Sequence, residues 1–402
     1  MRSETIDGFT FDCGGPHILF SKFPETLAEV REILGTNVVE LPRRNYVSFD
    51  NQLIPYPFEN GIYLLPPDTR ARIGTGLIEA ALERARNPNW KPANFREWQY
   101  GVFGAAMAAE YLEPYNSKIW KRPLDQISAD WVFTPGRLPV PEIPEIARAI
   151  AGIESVGYRE QARFLYPRKG GILSLYESLL GIVEHLPVDV RFEVPVSAVN
   201  REASGWMVNQ SVRSRIIVNT LPLPRVIQMV SDVPDSLKRQ AHFDYNRVVV
   251  VGVALDQPGP DQTAVYVPRP DIPFHRYTWM SYLNPPSATG SNLIAEVTVP
   301  KDAEFDASAI ATFVLGGLET LGVIADSSAV RFTRTWVNEY GYPVYSIGGS
   351  EAKRLLLREF NRHGLFSVGR WGSWEYWNTD MVLRAVKSTV ADMTAYGVFH
   401  CD

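Results

Sequence analysis

Phe9-Thr10-Phe11-Asp12 alternates apolar and polar positions, the period of a half-buried strand, and breaks at Gly14-Gly15-Pro16. Apolar positions at helical spacing follow over residues 24–34. Residues 45–57 predict a hairpin: Tyr46-Val47-Ser48-Phe49, a turn at Asp50-Asn51, then Leu53-Ile54. From 68 to 153 the period is helical, as in Leu77-Ile78-Glu79-Ala80-Ala81-Leu82, and prolines at 114, 123 and 135–144 divide it into several helices. A helix is predicted over 173–185, then strands over 189–194, 205–209 and 215–220. The apolar run 247–255 opens a region of strands and turns that extends to 298, with one helix near 307–321 and a strand at 329–337. The tail reads helix 351–361, buried strand 365–368, glycine turn, helix 379–396. This order predicts a mixed α/β fold, a discontinuous α/β domain interrupted by two insertions.

At 402 residues the chain suits two or three domains. The boundaries expected are 1–40, 166–235 and 355–402 for the discontinuous domain, 41–165 for a mostly helical one, and 236–354 for an antiparallel-sheet one. A net charge of −5 gives no support to nucleic-acid binding. Two cysteines, Cys13 and Cys401, form neither a disulfide framework nor a zinc pattern and fit a reducing compartment. The longest apolar stretch, Val248 to Leu255, is far short of a membrane span, and the first residues carry no apolar signal core. A soluble, cytoplasmic protein is the expectation. The 10 Trp, 18 Tyr and 19 Phe fill a core and also suit a flat ligand.

The tail from Leu365 to Asp380 carries the strongest chemical signal: a buried strand runs into Gly369, Arg370 and Gly372, then into a helix starting at Asn378-Thr379-Asp380. A helix start offers free backbone N–H groups, and glycines let a ligand approach the backbone. Read blandly, the same loop is a cluster of core aromatics before a capped helix, and the two readings weigh equally on the residues alone. Gly14-Gly15-Pro16-His17 directly follows a strand and lines a cofactor or forms a plain tight turn. Arg276 lies ten residues after Tyr266 on a connection stiffened by Pro268, Pro270 and Pro273, where either residue could serve a diphosphate or simply face solvent. Asn116 and Trp120, spaced i, i+4, share a helix face that can bind a base or belong to the core. The six histidines form no ligand-like cluster, so no metal is expected, and no Ser/His/Asp or Cys/His arrangement assembles.

Together these segments resemble the FAD-dependent amine-oxidase-like superfamily and, within it, the UDP-galactopyranose mutases, the eukaryotic-type branch most closely. The resemblance spans nearly the whole chain. It rests on residues 7–20, on 43–58 with Pro55-Tyr56-Pro57-Phe58, on Pro114 to Trp120, on Phe164 to Gly171, on Tyr266 to Arg276, on Gly341-Tyr342-Pro343, and on Gly369 to Asp380. It implies a Rossmann-like FAD-binding domain with helical and antiparallel-sheet insertions. It implies FAD held by Gly14, Gly15, His17, Arg43, Gly369, Arg370, Asn378 and Thr379, active in its reduced form, with NAD(P)H a candidate reductant. It assigns Tyr56, Phe58, Asn116 and Trp120 to the uridine and Tyr266, Tyr342 and Tyr376 to the diphosphate. Arg276, Arg137 and His17 are then the catalytic residues. The implied reaction interconverts UDP-galactopyranose and UDP-galactofuranose through a reduced-flavin N5–sugar adduct, with no protein nucleophile. This chemistry belongs to galactofuranose-containing polysaccharide biosynthesis and is compatible with a homo-oligomer.

The family's opening strand, Gly-x-Gly-x-x-Gly turn and helix find no counterpart here; Met1 to Glu4 correspond to residues just past that unit. The expectation that follows is an N-terminally truncated FAD domain that holds FAD weakly or not at all. Two rival readings accompany the mutase: an oxidoreductase of the protoporphyrinogen oxidase or amine oxidase type, and a noncatalytic homologue.

Overall fold

The structure, a computed structural model, describes residues 1–133, 140–155, 162–231, 233–240 and 243–395. Sixteen strands occur among them: β1 Ser3–Ile6, β2 Phe9–Asp12, β3 Val38–Pro42, β4 Asn45–Phe49, β5 Gln52–Pro55, β6 Arg163–Pro167, β7 Val199–Glu202, β8 Gly205–Val208, β9 Val212–Ser214, β10 Ile217–Asn219, β11 Asp244–Leu255, β12 Ala264–Tyr266, β13 Arg276–Trp279, β14 Ser291–Pro300, β15 Val330–Val344 and β16 Leu365–Ser367. Seven of them form one mixed sheet in the order β15-β11-β14-β13-β12-β4-β5. Strand β11 is antiparallel to both neighbours, and its run Val248 to Leu255 is buried on both faces. That is why its sequence is continuously apolar instead of alternating.

The hairpin β4–β5, assigned by the sequence to the helical part, extends this sheet: β4 pairs in parallel with β12. Through the hydrogen-bonding edge of β12, the segment expected as a separate helical unit, 41–165, shares a sheet with the segment 236–354. Helices Pro67–Arg86 and Phe95–Met107 pack over one face of the sheet. They touch backbone to backbone at Gly76 and Gly104; a Cβ on Gly104, whose φ is +76°, would lie 2.3 Å from the Gly76 carbonyl oxygen. Helix Ala307–Thr320 packs on the opposite face through Val314 and Leu318.

The segments 1–40, 166–235 and 355–402, expected to form the discontinuous domain, contribute the hairpin β1–β2 and a parallel pair, β10 and β16, joined from Ile217 opposite Leu365 to Asn219 opposite Ser367. Strand β16 feeds the turn at Gly369, and helix Thr379–Ala395 closes the described chain. The strand expected over 189–194 does not form. Leu186, Val188, Val190, Phe192 and Val194 keep the alternation of a strand but are exposed, because no neighbouring backbone pairs with them among the described residues. No helix among the described residues is long and apolar enough to cross a membrane.

A candidate flavin and anion site on the sheet face

Tyr266 and Arg276 are cross-strand neighbours on β12 and β13, and Arg276 is in turn opposite Glu296 on β14. The ten-residue spacing read from the sequence is therefore one antiparallel register. Tyr266, Arg276 and Glu296 form a row across three strands on one face, with residue pairs at cross-strand contact distance. Glu296 was missed by the sequence reading. Its signal is a lone carboxylate inside Leu293-Ile294-Ala295-Glu296-Val297, a strand that is otherwise apolar at this point.

Arg276 donates to Glu296 through two bonds, Nε to Oε1 at 2.7 Å and Nη2 to Oε2 at 2.9 Å. Glu296 is only 2% exposed, and the fork geometry compensates its burial. The hydroxyl of Tyr342 on β15 donates to Glu296 Oε2 at 3.4 Å and lies 3.3 Å from His275 Nε2. Thr298 Oγ1 lies 3.4 Å from His275 Nδ1. Burial, and then the Arg276 charge, hold the His275 imidazole well below the usual histidine range, hence neutral.

The Tyr266 phenol oxygen accepts from Asn45 Nδ2 at 3.2 Å and from Arg43 Nη2 at 3.4 Å. Its ring lies 4.9 Å from that of Tyr56 and edge-on to Tyr115 at 5.7 Å. Burial opposes ionisation of this phenol, but the Arg43 and Arg276 charges and hydrogen bonds prevail and bring its pKa below the ordinary tyrosine value. The Arg43 guanidinium sits over the Tyr56 ring at 5.3 Å and the Phe20 ring at 5.2 Å.

These groups line a cavity of about 620 Å³. Among the described residues its charged side chains are Arg2, Arg43, Arg276 and Arg370 against Glu59 and Glu296. From the tail, Arg370 donates to the carbonyls of Trp377 at 3.0 Å and Gly341 at 3.2 Å, and its guanidinium lies over Tyr376 at 4.5 Å. Tyr376 meets Tyr342 edge to face at 5.4 Å. Asn378 and Thr379, at the start of the last helix, line the same space. So do Gly14, Gly15 and His17 from the turn after β2. Gly15 has φ +91°, and a Cβ there would meet Glu296 Oε2 at 2.9 Å, so this turn packs directly on the anion row.

Most sequence-predicted residues thus converge. Asn116 and Trp120 reach the cavity, although the Asn116 amide donates to Leu112 O in its own helix at 2.8 Å and Trp120 is almost wholly buried. Phe58 does not reach it. It is fully buried between the rings of Phe49 at 4.8 Å and Tyr111 at 4.7 Å, so the expected uridine contact is a core residue. Gly369 is not among the lining residues either; with φ +86° it turns the chain from β16 into the tail. Arg137 lies outside the described residues. Among the described residues no group of three His, Cys, Asp or Glu side chains gathers as a metal site.

A family model described as flavin containing amine oxidoreductase matches residues 1–388. The chain belongs to that family. A reduced UDP-galactopyranose mutase superposes on it with a TM-score of 0.85 at 23% identity, over 100% of this chain and 88% of that one. A protein assigned as a protoporphyrinogen oxidase from Exiguobacterium gives 0.70 at 18%, over 98% and 90%. A redesigned putrescine oxidase gives 0.60 at 15%, over 98% and 90%. Likeness at these identities establishes the FAD-binding amine-oxidase-like fold, shared by mutase and oxidases alike.

The cofactor of this flavin-containing family member is FAD. The residues present fit it: the glycine turn Gly14–Gly15 exposes backbone to the cavity, and His17 Nδ1 is buried without a protein partner. The helix start at Asn378–Thr379 opens on the same space.

Proposed function

We propose that the protein is a flavin-dependent mutase of the UDP-galactopyranose type, interconverting the pyranose and furanose forms of a UDP-galactose. One observation carries the reading: the row Tyr266–Arg276–Glu296, with Tyr342, Tyr376, Arg43 and Arg370 around it, faces a cavity with four arginines against two glutamates. Such a cavity attracts a diphosphate and repels a cationic amine. The fold neighbour of highest TM-score quoted above is itself a mutase.

Reduced FAD, when bound, supplies the nucleophile for the anomeric carbon of the sugar. The side chains have other tasks. Arg276 and the hydroxyls of Tyr266, Tyr342 and Tyr376 stabilise charge on the departing diphosphate and keep UDP in place for its return. Because Arg43 and Arg276 lower the pKa of Tyr266, this phenol is a stronger hydrogen-bond donor to a phosphate oxygen than an ordinary tyrosine. Asn116, Trp120 and Tyr56 receive the uridine. The aromatic wall of Trp120, Trp131 and Tyr376, with Trp131 6.0 Å from Tyr376 and Trp120 5.9 Å from it, excludes water. Arg137 is assigned as the second diphosphate arginine by resemblance alone.

The test is UDP binding by calorimetry together with conversion of UDP-galactofuranose to UDP-galactopyranose under reducing conditions. Binding and conversion are expected. Absence of both, with oxygen consumption on an amine or porphyrinogen, would replace the mutase by an oxidase.

A further inference from the structure

Glu296 is a negative charge at the wall of a cavity read here as an anion site, which at first sight opposes its function. Three contacts explain why it is there. It takes the Nε and Nη2 donors of Arg276, receives the Tyr342 hydroxyl, and sits against the one face of Gly15 where a side chain would otherwise be. Guanidinium geometry does the rest. With the Nε/Nη2 edge engaged, the planar fork cannot rotate, and the Nη1/Nη2 edge is the one left for a ligand. The pairing also divides the charge of Arg276 between a permanent carboxylate and a transient phosphate.

We propose that Glu296 is a positioning residue that fixes the ligand-facing edge of Arg276 and holds the anion affinity of the site below its maximum, so that a nucleoside diphosphate leaves and returns without being trapped. The proposal rests on the mutase reading for the identity of the nucleotide, but not for the effect of Glu296 on anions. Tight binding of a leaving group stabilises the dissociated state as well as the transition state, and only interactions stronger in the transition state accelerate the step. An arginine half-neutralised by a carboxylate meets that condition better than an isolated one.

Inorganic pyrophosphate and UDP are the probes, on the FAD-loaded protein. Glu296→Gln keeps one acceptor for Arg276 and removes the charge. It is expected to bind both probes roughly tenfold more tightly, the effect of deleting one negative charge a few ångströms from an anion. Its KM for UDP-galactofuranose should fall and its kcat should fall further. A residue serving only to support the fold would weaken binding instead. Glu296→Asp keeps the charge but draws the carboxylate back, so its pyrophosphate affinity should stay within about twofold of the parent while kcat drops. This second variant also decides the matter if the first does not fold. Unchanged or weaker pyrophosphate binding in a folded Glu296→Gln protein, or tightening in Glu296→Asp, overturns the proposal. Tightening toward pyrophosphate with no UDP binding by any variant upholds Glu296 and removes the mutase reading.

Discussion

On β13 and β14, Tyr277, Trp279, Leu293, Ala295 and Val297 point to one face of the sheet, where they pack with Val314 and Leu318 of the overlying helix. Arg276, Thr278, Ile294, Glu296 and Thr298 alternate with them on the other. The same residues of backbone therefore serve two purposes, separated by the period of two. The apolar face is held by area removed from water, about 25 cal/mol per Å², which depends little on orientation. The cavity face is held by directed bonds among buried polar groups, each of which becomes a liability if its partner is lost. A one-residue slip would exchange the faces. Register on this sheet thus specifies both stability and chemistry.

The largest expected effect comes from placing a charge on the apolar face. Val251 is fully buried there, and Val251→Asp should cost about 4 kcal/mol or more, because its carboxylate meets no partner. Urea unfolding and near-UV circular dichroism would show the loss. On the cavity face, Arg276→Ala leaves the buried Glu296 charge without its cation, with the Tyr342 hydroxyl still donating to it, at an expected cost of about 3–5 kcal/mol in stability. UDP affinity should fall roughly 10- to 150-fold, the loss of a charge-assisted contact of about 1.5–3 kcal/mol. The double variant Arg276→Ala/Glu296→Gln should recover most of the stability and none of the UDP affinity. Equal stability of single and double variants would show that the two charges are not coupled.

A smaller effect is pH-dependent. Burial first, then the Arg370 charge, hold His17 neutral, with its pKa lowered to about 4. A lowered histidine means that the unfolded chain binds the proton first. Stability is then full above the ordinary histidine value near 6.5 and declines as pH falls toward about 4. The half-buried ring limits the loss to about 1–2 kcal/mol. His17→Asn should flatten this part of the curve of unfolding free energy against pH; an unchanged slope would assign it to other groups. The smallest effect has the opposite sign. Thr278 Oγ1 is buried without a hydrogen-bond partner, so Thr278→Val should be neutral or stabilising by up to about 1 kcal/mol, and thermal unfolding would register it.

Local pattern alone predicted the hairpin at Asp50-Asn51, the apolar run of β11, the helix starting at Leu173 and the strand–turn–helix tail, because these follow from side-chain periodicity and turn residues near in sequence. The residues alone made Tyr266 and Arg276 candidates for a diphosphate; the resemblance chose that reading for them and supplied Tyr342, Tyr376 and the flavin. Other features rest on contacts distant in sequence. The pairing of β4 with β12 crosses more than 200 residues, and nothing in either segment names its partner. Phe58 lies one residue from cavity-lining Pro57 and Glu59 yet faces the core. The alternation in residues 186–194 is a strand in pattern, but a strand exists only where another backbone accepts its hydrogen bonds. Glu296 is the clearest case. In the sequence it is a misplaced charge in an apolar strand, and only the register that sets it opposite Arg276 makes its burial tolerable and gives it a task. Composition and period determine which residues leave water; the tertiary pairing decides which buried charges find one another.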